Sequence, residues 1–361
     1  MKMRKIVCSF MISVVCFMTA ISGVSATSYD TSKINAAYSK VVEYYKNNNN
    51  LNNADKILAV ESLGLEAESN QFDTSSANLS STSLSKKIVT EVLLGVDPTK
   101  DKETLESQID ENGNVEGSWG ASSDVWTLYA LYVTSSEKTN LIANKLNDEL
   151  AASSVCGYEW GGTYYADYDT TGWVIEGLAV VNKEKYATTI NKAIDYIKNN
   201  TTMTTTGWVT ADNVDTQSQV LEGMFAYDTN ALLNDSYTVH PVDCLLNTQL
   251  SDGSFPSGYN AEYTTAEVAK TLGTYKNGSV IIKAKKAYDK MMNPEQPDNT
   301  KPVQPTDTKK DSQSTNKVET TNQKTTSVKT GDETNVVIFV SLSMVSGGLF
   351  LVLRKEYERV H

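Results

Sequence analysis

The chain has 361 residues, with 44 Asp and Glu against 32 Lys and Arg, for a formal net charge of −12. That balance excludes a nucleic-acid partner, because phosphate binding needs clustered Lys and Arg. With 40% apolar residues the chain can bury a sizeable core, and four cysteines allow at most two disulfides.

In chain order, Lys2, Arg4 and Lys5 precede an apolar run from Ile6 to about Ile21, and Val24-Ser25-Ala26 supplies the small residues that a signal peptidase reads. Residues 1–26 are therefore expected to be a signal peptide cleaved after Ala26, the alternative being an uncleaved membrane anchor. Cys8 and Cys16 leave with it, so an exported domain keeps Cys156 and Cys244, which either pair or stay as two buried thiols.

Residues 27–293 read as one all-α domain. Apolar residues recur at helical spacing from the first element onward, at Ile34, Ala37, Tyr38, Val41, Val42 and Tyr45. Further helices are predicted over 54–66, 84–95, 123–133, 139–150, 171–181, 183–198, 215–227, 239–249, 265–275 and 280–291. Four of them share an entry pattern, in which the aromatics Trp119, Trp160, Trp208 and Phe255 precede the carboxylates Asp124, Asp169, Asp215 and Glu262. The pairs Ala130-Leu131, Gly177-Leu178, Gly223-Met224 and Thr271-Leu272 then recur at intervals of 47, 46 and 48 residues. A period of this length marks an array of helical hairpins that bury their apolar faces by stacking, and about six hairpins fit the length. The small residues allow close helix approach, the entry carboxylates suit helix N-termini, and Thr264 with Glu267 has capping-box spacing.

The run Gln249-Leu250-Ser251-Asp252-Gly253-Ser254-Phe255, together with Gln108 and Gly117-Ser118-Trp119, resembles the repeat of the terpenoid cyclase and prenyltransferase family. The resemblance covers most of residues 100–292 and implies an α/α toroid, in which inner helices surround a cavity and outer helices wrap them. An open helical solenoid is the rival arrangement. Asp167-Tyr168-Asp169-Thr170-Thr171 is similar to the acid motif of class II cyclases, with Asp169 at the position of the proton donor, but Thr170 replaces the last Asp. A helix cap is the other reading of Asp169. His240, Asp243 and Cys244 lack the order of the prenyltransferase zinc ligands, and Cys156-Gly157-Tyr158-Glu159 lacks the Gln of a thioester, so neither a metal nor a cofactor is expected.

The toroid resemblance implies a cavity mouth where acidic and aromatic side chains gather, and paired carboxylates with stacking rings suit a carbohydrate. The candidate ligand-binding residues are Trp119, Trp160, Tyr164, Tyr165, Asp169, Trp173, Trp208, Asp212, Asp215, Tyr259, Glu262 and Tyr263, and the candidate catalytic residues are Asp167 and Asp169. The expected function is capture of a glycan, a peptide or a small apolar ligand. A glycan-active hydrolase or lyase using two of the carboxylates is the alternative, and cyclase or prenyltransferase activity is not expected.

Residues 294–330, rich in Pro, Thr, Lys, Gln and Ser, cannot form a packed core and read as a stalk. Residues 336–353 are uncharged and long enough to cross a membrane, and Arg354 and Lys355 open a short tail, 354–361, held on the cytoplasmic side. Ser327-Val328-Lys329-Thr330-Gly331-Asp332 resembles the sorting signal of Gram-positive wall proteins, with Ser327 and Val328 where Leu and Pro usually stand. The resemblance implies cleavage between Thr330 and Gly331 by a sortase and attachment to peptidoglycan, with retention as a single-pass membrane protein as the alternative. An extracellular, surface-anchored protein is thus expected, with signal peptidase and sortase as its processing partners.

Overall fold

The computed structural model describes residues 29–68, 72, 79–200, 214–235, 237, 239–257 and 260–294. The signal peptide, the stalk beyond Pro294, the sorting signal and the C-terminal apolar segment lie outside these residues, as do Trp208, Asp212 and Tyr259. Among the described residues no helix is long and apolar enough to cross a membrane.

The described chain is mostly helical, as its 3.6-residue periodicity implies, with eleven helices and one small hairpin. Helix α1 is Ser32–Asn47, α2 Ala54–Ser62, α3 Ser81–Leu93, α4 Thr99–Ser107, α5 Ala121–Val133 and α6 Thr139–Ser153. Strands β1, Gly157–Trp160, and β2, Thr163–Ala166, pair antiparallel with Tyr158 opposite Tyr165. There follow α7, Tyr168–Asn200, α8, Val214–Asn234, α9, Pro241–Leu246, α10, Ala261–Asn277, and α11, Val280–Met292. Helix α7 breaks at Asn182 and α8 at Asp228, where the backbone leaves helical geometry, so each is a hairpin of two helices with almost no loop.

Neighbour relations follow a consistent order. Helix α2 packs on α3, α3 on α5, α5 on α7, α7 on α8 and α8 on α10, and α10 packs back on α2. Helix α1 lies against one member of this series, α10, and α6 against two, α5 and α7, whereas α11 touches α2, α3, α5 and α10.

Glycines fix the closest approaches. A Cβ on Gly172 of α7 would stand 2.4 Å from the Gln219 carbonyl oxygen of α8, and one on Gly223 would stand 2.2 Å from the Gly172 carbonyl oxygen. Gly273 of α10 meets Ser62 of α2 in the same way, at 2.6 Å from its carbonyl oxygen. Such contacts leave no room for a side chain, so the glycines offset their roughly 1 kcal/mol helix penalty by bringing backbones together.

The Gln249–Phe255 run is a docking turn. Gln249 Nε2 donates to the Ala37 carbonyl of α1 at 3.0 Å, Asp252 accepts from the Ser254 amide and hydroxyl, and Gly253 adopts φ +93° against the Lys40 carbonyl. Phe255 is fully buried, and its amide donates to the Thr265 hydroxyl. Cys156 makes the same bond to Thr171, at 2.9 Å, so Cys156 rather than Trp160 stands in the place of Phe255, and the hairpin is an insertion after it. Cys156 and Cys244 are both buried and form no disulfide with each other.

Candidate functional site

The site is built by the inward faces of the serial helices. Counting back from the repeat residues Ala130, Gly177, Gly223 and Thr271, the positions eight before are Ser122, Asp169, Asp215 and Tyr263. Four before stand Trp126, Trp173, Gln219 and Glu267, and one before stand Tyr129, Glu176, Glu222 and Lys270. These positions are spaced by four, three and seven residues and so share one helical face, and their side chains meet those of neighbouring helices.

Nearest the helix entrances, Asp169 bonds to Thr216, Asp215 to Thr264, and the Tyr263 hydroxyl accepts from Gln219 Nε2 at 3.3 Å. Deeper, the Trp126 and Trp173 rings lie 5.9 Å apart at a steep angle, and Gln219 Nε2 also donates to Glu267 Oε2 at 3.2 Å. Lys86 of α3 and Lys270 of α10 both face the Trp126 ring, at 4.5 and 5.4 Å. Lys86 pairs with Asp55 of α2 at 2.7 Å, and Lys270 pairs with Glu267 at 3.0 Å and lies 3.9 Å from Glu222. In the innermost layer the Tyr129 hydroxyl donates to Glu176 Oε2 at 2.9 Å, and Ser279, at the start of α11, lies near the same carboxylate.

Confinement controls the charges. Burial, reinforced by Asp167 and Asp215, pushes the Asp169 carboxyl up to about 7 against the Thr216 hydrogen bond. Burial likewise lifts Asp215 to about 6 and Glu222 well above the ordinary carboxylate value. Burial works against the Lys270 ammonium, but Glu267 and Glu222 outweigh it and raise its pKa above the ordinary lysine value. Asp169, Asp215, Trp173, Asp55 and Lys86 are only partly shielded from solvent, whereas Glu176, Gln219, Glu222, Glu267 and Lys270 are buried.

Of the sequence-predicted residues, Asp169, Trp173, Asp215 and Tyr263 converge here. Asp167 does not: its carboxylate accepts from the Thr170 amide and hydroxyl, so it is the cap of α7, and the capping role considered for Asp169 belongs to Asp167. Thr264 and Glu267 form no capping box, because α10 starts a turn earlier under Asn260, which accepts from the Glu262 and Tyr263 amides. Glu262 sits at the rim, exposed and paired with Lys56 at 3.0 Å. Trp119, 64% exposed, Tyr164 and Tyr165 lie outside, with Tyr165 stacked on Tyr158 across the hairpin; Trp160 belongs to β1, and its side chain is not described. Asp55, Lys86, Trp126, Tyr129, Glu176, Gln219, Glu222, Glu267 and Lys270 are not among the predicted site residues, although most fall on the same repeat period as those that are.

Among the described residues no group of three His, Cys, Asp or Glu could hold a metal ion. A separate groove of about 350 Å³ lies between the second half of α7 and α8, lined by Asp195, Met224, Tyr227 and Tyr237 among others, and includes no predicted residue. No family model and no curated protein matches the chain.

Proposed function

We propose that the domain is an α/α toroid whose lumen binds a polar, ring-bearing ligand, a glycan in the first instance, on the outer surface of the cell. The toroid reading is supported by the return of α10 onto α2, with α2, α3, α5, the first halves of α7 and α8, and α10 as inner helices. The binding reading is carried by one observation. Two tryptophan side chains and a set of carboxyl and amide groups converge on the facing sides of the serial helices, and several of their polar atoms are buried without a hydrogen-bond partner. Buried polar atoms without partners cost about 1–3 kcal/mol each, a cost that a ligand's own polar groups would relieve. The same lining argues against a small apolar ligand, which would leave every one of those groups unmet.

Export and surface anchoring remain part of the proposal, resting on the sequence features at both ends. They would place the lumen within reach of wall or environmental polysaccharide.

A glycan-active enzyme is the second reading, favoured by the carboxyl pair Asp169 and Asp215, lifted to about 7 and about 6. A raised acid beside a lower one is the arrangement of a proton donor with a base. Purified full-length chain, screened against a panel of oligosaccharides for both binding and cleavage, separates the readings. Saturable binding without products supports capture, and products lost in Asp169→Asn identify an enzyme. Absence of both, with the protein folded, overturns the proposal.

A further inference from the structure

The hydrogen-bond inventory of the lumen is lopsided. Among the described residues, its buried atoms without a hydrogen-bond partner are Glu176 Oε1, Asp215 Oδ1, Gln219 Oε1, Glu222 Oε2 and Glu267 Oε1, all acceptors, against a single donor, Trp173 Nε1. Protonation can answer the carboxyls but not the amide. Gln219 Nε2 is committed to Glu267 and Tyr263, which fixes the amide orientation and leaves its carbonyl open.

Charge is lopsided in the same sense. Helices α7, α8 and α10 contribute Asp169, Glu176, Asp215, Glu222 and Glu267, and α2 adds Asp55. The facing cations are Lys270 and, from α3, Lys86; α5 presents the uncharged Trp126 and Tyr129, and Lys56 is occupied at the rim by Glu262. Among the described residues, six carboxyls thus surround two ammonium groups.

A hydroxyl brings an acceptor with every donor, whereas a primary ammonium brings three donors and no acceptor. It also gains from the face of an aromatic ring, and Trp126 already carries Lys86 and Lys270 in this way. We propose that the lumen recognises its ligand through a primary ammonium group, as on a 2-amino sugar, held by the open oxygens of Gln219, Glu267 and Asp215 beside Trp173. The inference rests on the glycan reading for the ring that carries the amine, and on the lumen's own atoms for the amine. Entry of the cation displaces protons from the carboxyls to solvent, so binding strengthens as pH rises from about 5 to about 7.

The test is isothermal titration of the full-length chain at about pH 7 with glucosamine, glucose and methylammonium, each in two buffers of different ionisation heat. Glucosamine is expected to bind about tenfold more tightly than glucose, with proton release read from the buffer dependence. Gln219→Leu should bring glucosamine down toward glucose; if that variant fails to fold, Glu222→Gln, which keeps the shape, should reduce the proton release. Equal binding of glucosamine and glucose overturns the ammonium inference and leaves the glycan reading standing. Binding of methylammonium alone, with protons released, does the reverse. Proton uptake on binding overturns the inference, and failure of all three probes to bind overturns both.

Discussion

Asp169 and Asp215 carry an energetic signature that can be read without any ligand. An acid whose pKa is higher in the native state holds its proton more tightly when folded. Its contribution to stability is complete below the unfolded value of 3.8 and is lost as pH rises through about 6 for Asp215 and about 7 for Asp169. Glu91, which shares Lys87 with Asp101 and is lifted by burial to about 8, acts in the same direction. Asp97, Asp110 and Asp252 act oppositely: hydrogen bonds from Thr99, Asn114 and Ser254 hold them below 3.8, and their contribution is lost as pH falls through those lower values. The unfolding temperature should therefore peak near pH 4–5 and fall toward neutrality, as followed by circular dichroism. Asp169→Asn should flatten the descent and stabilise the fold at pH 7 by about 2 kcal/mol. A stability that climbs steadily to pH 7 would contradict these burials. At this scale the sequence reading found less than a third of the lining. It chose carboxylates by nearness to helix entrances, which captured Asp169 and Asp215 but also took in the cap Asp167 and the rim residue Glu262. Glu222 and Glu267 lie a turn or more inside their helices, where an isolated acid looks like an ordinary solvated face until the repeat is used to turn that face inward.

Among elements, the α7–α8 contact is the tightest, and its glycines give a graded prediction. Gly172→Ala and Gly223→Ala drive a methyl into a backbone carbonyl at 2.4 and 2.2 Å, and each should cost about 3 kcal/mol or more. Gly177→Ala meets first the flexible end of Leu128, at 3.1 Å, and gains about 1 kcal/mol of helix propensity, so its net effect should stay within about 1 kcal/mol. Urea midpoints of the three variants check the order, and equal effects would mean that the backbones do not approach as described. Most helices were legible because long amphipathic stretches declare their period. Helix α4 was not, since Leu105 is its only buried residue and its other positions are polar. The β1–β2 hairpin was missed for a related reason: Tyr158, Tyr164 and Tyr165 stay exposed, so no alternation of buried and exposed residues marked the strands.

For the molecule as a whole, the repeat interval fixed which helices are equivalent but not where the series ends, because closure depends on two contacts far apart in sequence. Gly273 against Ser62 and Glu262 against Lys56 join α10 to α2, and neither pair belongs to a local motif. The lumen, its excess of acceptors and its proposed ligand all require that junction. Zero-length carbodiimide coupling of the folded chain, followed by peptide mass spectrometry, tests it most directly, because Lys56 Nζ lies 3.0 Å from Glu262 Oε2. The account predicts an amide between Lys56 and Glu262, formed alongside the within-helix link of Lys285 to Asp289. Recovery of the Lys285–Asp289 link without the Lys56–Glu262 link would mean that the series stays open and has no lumen.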